Sequence, residues 1–236
     1  MEAVVLDTTP ASPDFGGAHE IPTAISRASA CNLATRIPMV STLHARLRSA
    51  TAVVHLELER DLALMAPDVS MGRYKRIIAL FYGFYRPLEA DLERLSLLAP
   101  SRKFPLRART ELLTRDLLAL GLEARAISEL PICAALPSLR EPEHFAGCLY
   151  VLEGASLGGQ VITSTLREKL ELTDDGGMAF FGGEGAATAA RWKCVLEWLE
   201  RVSLSGLRVD QIVTSACETF SSLINWIRVQ GLNHEY

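Results

Sequence analysis

Residues 149–166 read LYVLEGASLGGQVITSTL, inside a longer stretch from about Glu143 to Leu170 whose apolar residues recur at steps of three and four. That period predicts one long helix, closed by Asp174, Asp175, Gly176 and Gly177. Three of its residues are out of place. Each glycine inside a helix sacrifices about 1 kcal/mol relative to alanine, so Gly154, Gly158 and Gly159 together give up roughly 3 kcal/mol of helix preference. Gly147, Gly154 and Gly158 follow one another by seven and four residues and therefore line one face. Two causes fit a bare stripe of this kind: close packing of a second helix, or a flat ligand lying directly against the main chain, with a bend at the glycines. The residues of this stretch do not choose between them.

Working outward, the same helical period appears on both sides. Ser41 reads as the N-cap of a helix carrying Leu43, Leu47, Ala50, Val54, Leu58 and Leu62. Ser70 opens a second through Tyr74, Ile77, Ile78, Phe81, Tyr82, Tyr85 and Leu88, where Pro87 kinks it or starts a new segment. A third is expected from about Leu106 to Leu120, stopped at Gly121. LPICAALPSLREP, with Pro131, Pro137 and Pro142, is irregular. Two further helices are predicted over about Ala186–Val202 and Val209–Val229. No segment alternates with period two between hairpin turns. The fold class expected is all-α, a single-domain multi-helical bundle over residues 39–236. Residues 1–38, with Pro10, Pro13, Gly16, Gly17, Pro22 and Pro38 and no sustained apolar period, read as a loosely attached extension.

Composition supports a folded, intracellular chain. Hydrophobic residues make up 49% and charged residues 22% of 236, enough for a sizeable core. The net charge of -4 offers no general attraction to nucleic acid or anionic lipid. The five cysteines are odd in number and widely spaced, without a Cys-x-x-Cys pair, as expected of free thiols. With no membrane-spanning run and no secretion signal at the N-terminus, the chain reads as cytoplasmic.

Five histidines are few enough to weigh one by one. His19 and His234 lie near the ends, and His44 and His144 fall in first helical turns, where solvation is the default. His55 differs. It comes eight residues after Leu47 and seven before Leu62, beside the apolar stripe of its helix and facing inward. An inward histidine is either a core imidazole bonded to a carbonyl or an axial ligand to an iron whose other ligands come from a porphyrin. A single histidine suffices for haem and would not suffice for zinc. The aromatic stripe Phe81, Phe84, Tyr85 reads as core, and Arg48, Arg191 and Lys193 are candidates to meet ligand carboxylates.

Taken together, several separated segments resemble the haem (heme) oxygenase family, in the family's order. LRSATAVVH, residues 47–55, is similar to the proximal-helix motif whose terminal histidine ligates iron; FYGFYRPLEADLE, 81–93, to the second-helix pattern. LYVLEGASLGGQVI, 149–162, looks like the kinked, Gly-rich distal helix, nearest the bacterial branch associated with phytochromes. AFFGGEGAATAARWK, 179–193, resembles the lead into a helix bearing propionate-binding basic residues, and ETF, 218–220, suggests Phe220 as a pocket wall.

The resemblance implies a fold and a reaction. Haem would be both cofactor and substrate, cleaved with O2 and electrons from an external donor to biliverdin, ferrous iron and carbon monoxide. The donor would be a separate reductase or ferredoxin, and a bacteriophytochrome a consumer of biliverdin. It implies His55 as the metal ligand; Arg48, Thr51, Tyr150, Gly154, Gly158, Lys193 and Phe220 as further haem contacts; and Gly154, Ala155, Gly158 and Glu153 as the catalytic distal set. Two positions depart from the pattern. Ala155 stands where many members have an aspartate that anchors proton-delivering water, which passes that task to Glu153, Ser156, Tyr150 or backbone carbonyls. Glu197 stands where some relatives have an arginine, so regioselectivity does not carry over. The competing expectations are a haem-binding or regulatory protein with the same fold and no turnover, and a helical enzyme of similar architecture without haem, such as a thiamin-salvage hydrolase or a di-iron protein, the last disfavoured by the lack of paired Glu-x-x-His motifs.

Overall fold

The computed structural model describes residues 42–98, 104–173, 176–183, 185 and 187–232. The extension expected over 1–38, and with it His19, lies outside the described residues, as does His234. Among the described residues the chain forms α1 (Leu43–Leu62), α2 (Met71–Leu98), α3 (Arg109–Ala119), α4 (Ala124–Ser128), α5 (Pro142–Leu170), α6 (Ala179–Gly182), α7 (Ala187–Leu204) and α8 (Val209–Gln230), and no strand. Six of these are the helices predicted by periodicity; α4 and α6 are too short to show a period.

The helix ends follow from who satisfies their backbone. Thr42, not Ser41, caps α1, its Oγ1 accepting from the N–H of Ala45 at 3.2 Å. Two carboxylates from distant elements cap short helices: Glu89 of α2 accepts from the N–H groups of Arg109 and Thr110, at 2.7 and 3.1 Å. Asp116 of α3 accepts from Ala179 and Phe180, at 2.6 and 2.8 Å. His144 is not simply solvated. Its Nδ1 accepts from the N–H groups of Arg140 and Glu141, both at 3.1 Å, and closes a capping box with Glu141 at the start of α5.

Pro87 does not end α2, which runs on to Leu98. A proline cannot donate to the carbonyl four residues back, here Gly83, and the N–H of Cys133 takes that carbonyl at 2.9 Å. The irregular 131–133 strap can come that close because residue 83 has no side chain: a Cβ there would lie 2.3 Å from the Pro131 carbonyl oxygen. The sequence's two oddities, a proline in a helix and a proline-rich loop, resolve each other.

The core is built on α2, whose Tyr74, Ile77, Phe84, Leu88 and Leu92 are wholly buried. The aromatic stripe is core, as expected, and α6 adds Phe180 and Phe181, packed on Phe81 and Tyr85 with ring centroids 5.3 to 5.9 Å apart. α8 packs against α1, α2 and α5. Trp226 ties it to α2 by donating from Nε1 to the Leu80 carbonyl at 2.8 Å. α5 is long and apolar enough to cross a membrane, and most of its apolar stretch is buried inside the fold.

Candidate functional site

Both α1 and α5 pack on α8. His44, Arg48, Thr51 and His55, at steps of four, three and four, form one stripe along α1. Thr51 is buried, donates from Oγ1 to the Leu47 carbonyl at 2.8 Å, and its hydroxyl also lies against the Tyr150 phenol of α5. Burial pushes that phenol up from its ordinary range, while the bond to Thr51 and the charge of Arg48 pull it back. Arg48 itself is exposed.

His55 is not inward. Its side chain is 52% exposed, its Nδ1 lies 3.5 Å from a carboxylate oxygen of Glu59, and its ring stands edge-on to Phe220 at 5.6 Å. Eight residues of helix leave it about 80° round from Leu47, which puts it at the rim of the buried stripe rather than within it. The alternative of a core imidazole held by a carbonyl is thereby removed. With Nδ1 turned to a carboxylate, Nε2 is the ring nitrogen left to face outward, the orientation a metal-ligating histidine requires.

The glycines of α5 divide into two kinds. A Cβ on Gly147 would lie 2.4 Å from the Ile212 carbonyl oxygen of α8, and one on Gly159 would lie 2.6 Å from that of Phe181. These two are bare because helices and loops press on them. A Cβ on Gly158 would meet nothing within 4 Å, and one on Gly154 only the Trp192 indole, at 3.5 Å. Among the described residues, no neighbour requires these to be glycine. Leu157 and Val161 beside them are exposed apolar side chains, 40% and 62%. Bare backbone bordered by exposed apolar groups is what a flat hydrophobic ligand needs.

The other distal candidates fall in different places. Ala155 is exposed. Ser156 is buried, and its Oγ has no hydrogen-bond partner among the described residues. Glu153 is taken: both its oxygens accept from Arg191 at 2.8 Å, and Arg109 lies 3.3 Å away, with the carboxylate 3% exposed. It is a strut between α3, α5 and α7 and not a free holder of water. Lys193 is 79% exposed and lies 3.9 Å from Glu197, the residue that departs from the family pattern. Phe220 is buried beneath His55.

Three residues that matter here were not singled out. Glu59 was legible as the acid four residues after His55 on the same helix face. His44 and Trp192 were not, because their rings meet Tyr150, and each other, only in the tertiary structure, with centroids 5.5 to 6.3 Å apart. Among the described residues no group of three or more His, Cys, Asp or Glu is placed to hold a metal ion. A metal at His55 would therefore need its remaining ligands from a cofactor.

Residues 41–229 match the family model described as Heme oxygenase. Two solved structures share the fold. A haem oxygenase from Leptospira interrogans superposes with a TM-score of 0.65 at 22% identity, covering 79% of this chain and 98% of that one. Haem oxygenase 2 from Chlamydomonas reinhardtii, in a structure without haem, gives 0.60 at 19% identity, covering 81% and 99%. Sequence comparison with curated proteins gives no match.

Proposed function

Because the chain belongs to the haem oxygenase family, we propose that it holds haem between the His55 stripe of α1 and the bare backbone of α5, and cleaves it to biliverdin, ferrous iron and carbon monoxide. The observation that carries this is the pairing of a half-exposed imidazole, backed by Glu59 and Phe220, with glycines that no neighbour among the described residues requires. Bound haem supplies the iron at which O2 is reduced, and is itself the molecule oxidised.

The chain's own residues have separate tasks. His55 ligates through Nε2, and Glu59, by accepting from Nδ1–H, fixes the ring and strengthens it as a donor. Phe220 blocks rotation of the imidazole. Gly158 and Gly154 admit the ligand to backbone contact. Arg48, exposed and beside the Tyr150 phenol, meets a propionate; Lys193 contributes more weakly, being solvated and near Glu197. With alanine at 155 and Glu153 engaged, the proton must come through the Tyr150 hydroxyl or through water held by backbone carbonyls of α5. Electrons come from a separate reductase or ferredoxin. A bacteriophytochrome is the biliverdin consumer suggested by the distal string. α5 turns its apolar stretch into the core, which supports a cytoplasmic protein.

Ala155 favours a second reading, a haem-binding regulator that does not turn over. Purified protein mixed with haemin separates the two. A histidine-ligated Soret band that decays under reductant and air to a biliverdin spectrum supports the oxygenase. A Soret band that persists supports the regulator, and no band at all refutes both.

A further inference from the structure

Trp192 stands at one end of the bare backbone. The tip of its indole is the nearest group to the Cβ position of Gly154, at 3.5 and 3.6 Å, while Gly158, one turn on, faces open space. The indole is braced on two sides: the His44 ring meets it edge-on at 6.0 Å, and the Tyr150 ring lies tilted at 5.5 Å. Its backbone is fixed as well. Arg191, the preceding residue, makes a bidentate bridge to Glu153, the residue before Gly154, and donates to the Pro105 carbonyl at 2.7 Å. A bidentate guanidinium–carboxylate pair fixes angle as well as distance, so α7 is locked to α5 at the point where the indole crosses Gly154.

Charge control from α7 is weak at this end, and Arg48 of α1 is left as its cation. Lys193 and Glu197 lie 3.9 Å apart and largely in solvent, so they offer a ligand little net field. A rigid aromatic edge is the stronger determinant of where a flat molecule stops.

We propose that Trp192 is a specificity-determining residue: its indole, set by the Arg191–Glu153 bridge and by His44 and Tyr150, is the end-stop against which haem seats on α5, and so selects the meso carbon that is cleaved. This rests on the haem reading above. Trp192 works by position and takes no part in bond making.

The test uses full-length protein loaded with haemin. Wild type should show a Soret band, one dominant set of haem methyl resonances in the cyanide-bound ferric form, and nuclear Overhauser contacts from the Trp192 indole to a haem substituent. Trp192→Ala should keep the Soret band but shift the ratio of haem seatings, and of biliverdin isomers, by about tenfold, the scale of lost steric discrimination. Trp192→Phe, which keeps an aromatic edge, should stay nearer the wild-type ratio. A folded, haem-loaded Trp192→Ala protein with the wild-type methyl pattern and isomer ratio overturns the proposal. So does the lack of any indole-to-haem contact in wild type, a result independent of whether the variant folds. No Soret band in wild type would sink the haem reading itself, and this inference with it.

Discussion

At the scale of single residues, His55 and Asp116 make opposite predictions. His55 is half exposed and pairs only at its edge, so His55→Ala should change folding stability by no more than about 0.5 kcal/mol. The same change should abolish the histidine-ligated haem spectrum; an unaltered spectrum in the variant rules out the axial assignment. Glu59→Gln should leave ligation intact and lower the iron–histidine stretching frequency in resonance Raman, because a neutral amide accepts less from Nδ1–H than a carboxylate. Asp116 is wholly buried beneath α6, and burial pushes its carboxyl up to about 6 against the backbone bonds that favour the anion. The folded state therefore holds this proton more tightly than the unfolded chain does. Its contribution is present in full below pH 4 and is lost as pH rises through about 6. Urea unfolding between pH 4 and 6 should show Asp116→Asn flattening that part of the profile, where one proton changes the folding constant by at most about tenfold per pH unit.

At the scale of elements, α5 holds two populations of glycine that substitution should separate. Gly147→Ala drives a methyl into the α8 backbone at Ile212, and should destabilise by about 1–3 kcal/mol or more, as overpacking does. Gly158→Ala meets nothing, gains helix preference of up to about 1 kcal/mol, and should raise the melting temperature while weakening haem binding. Thermal denaturation with and without haemin reads both effects. Equal destabilisation by the two substitutions would mean that Gly158 is packed after all. The period of the apolar residues made six helices legible, including the continuation of α5 past its glycines. Helices α4 and α6 were hidden because α6, a single turn, is held by Asp116 from 63 residues away rather than by its own pattern.

At the scale of the whole molecule, the buried Arg109–Glu153–Arg191 group joins α3, α5 and α7 around one carboxylate. Glu153→Gln removes the carboxylate charge that faces the Arg109 guanidinium, which is 3% exposed, and should cost about 3–5 kcal/mol in chemical denaturation. A loss below about 1 kcal/mol would show that water compensates the charges. Glu153 also shows where reading a chain in one dimension ends. Its neighbours in sequence are the distal glycines, and that adjacency suggested a catalytic role. A helix turns about 100° per residue, so one step from Gly154 carries the side chain off the bare face and toward Arg191. By itself the sequence determined the all-helical class, the family through its two separated motifs, and His55 as the candidate ligand, because these depend on local period and on residue identity at fixed spacing. Tertiary structure alone decided that His55 sits at a rim and not in the core, which glycines are bare for packing and which are not, and that Glu153 is a strut. Each of those turns on what stands opposite a side chain, and the opposing groups, Phe220, Ile212, Phe181, Arg109 and Arg191, come from elements distant along the chain.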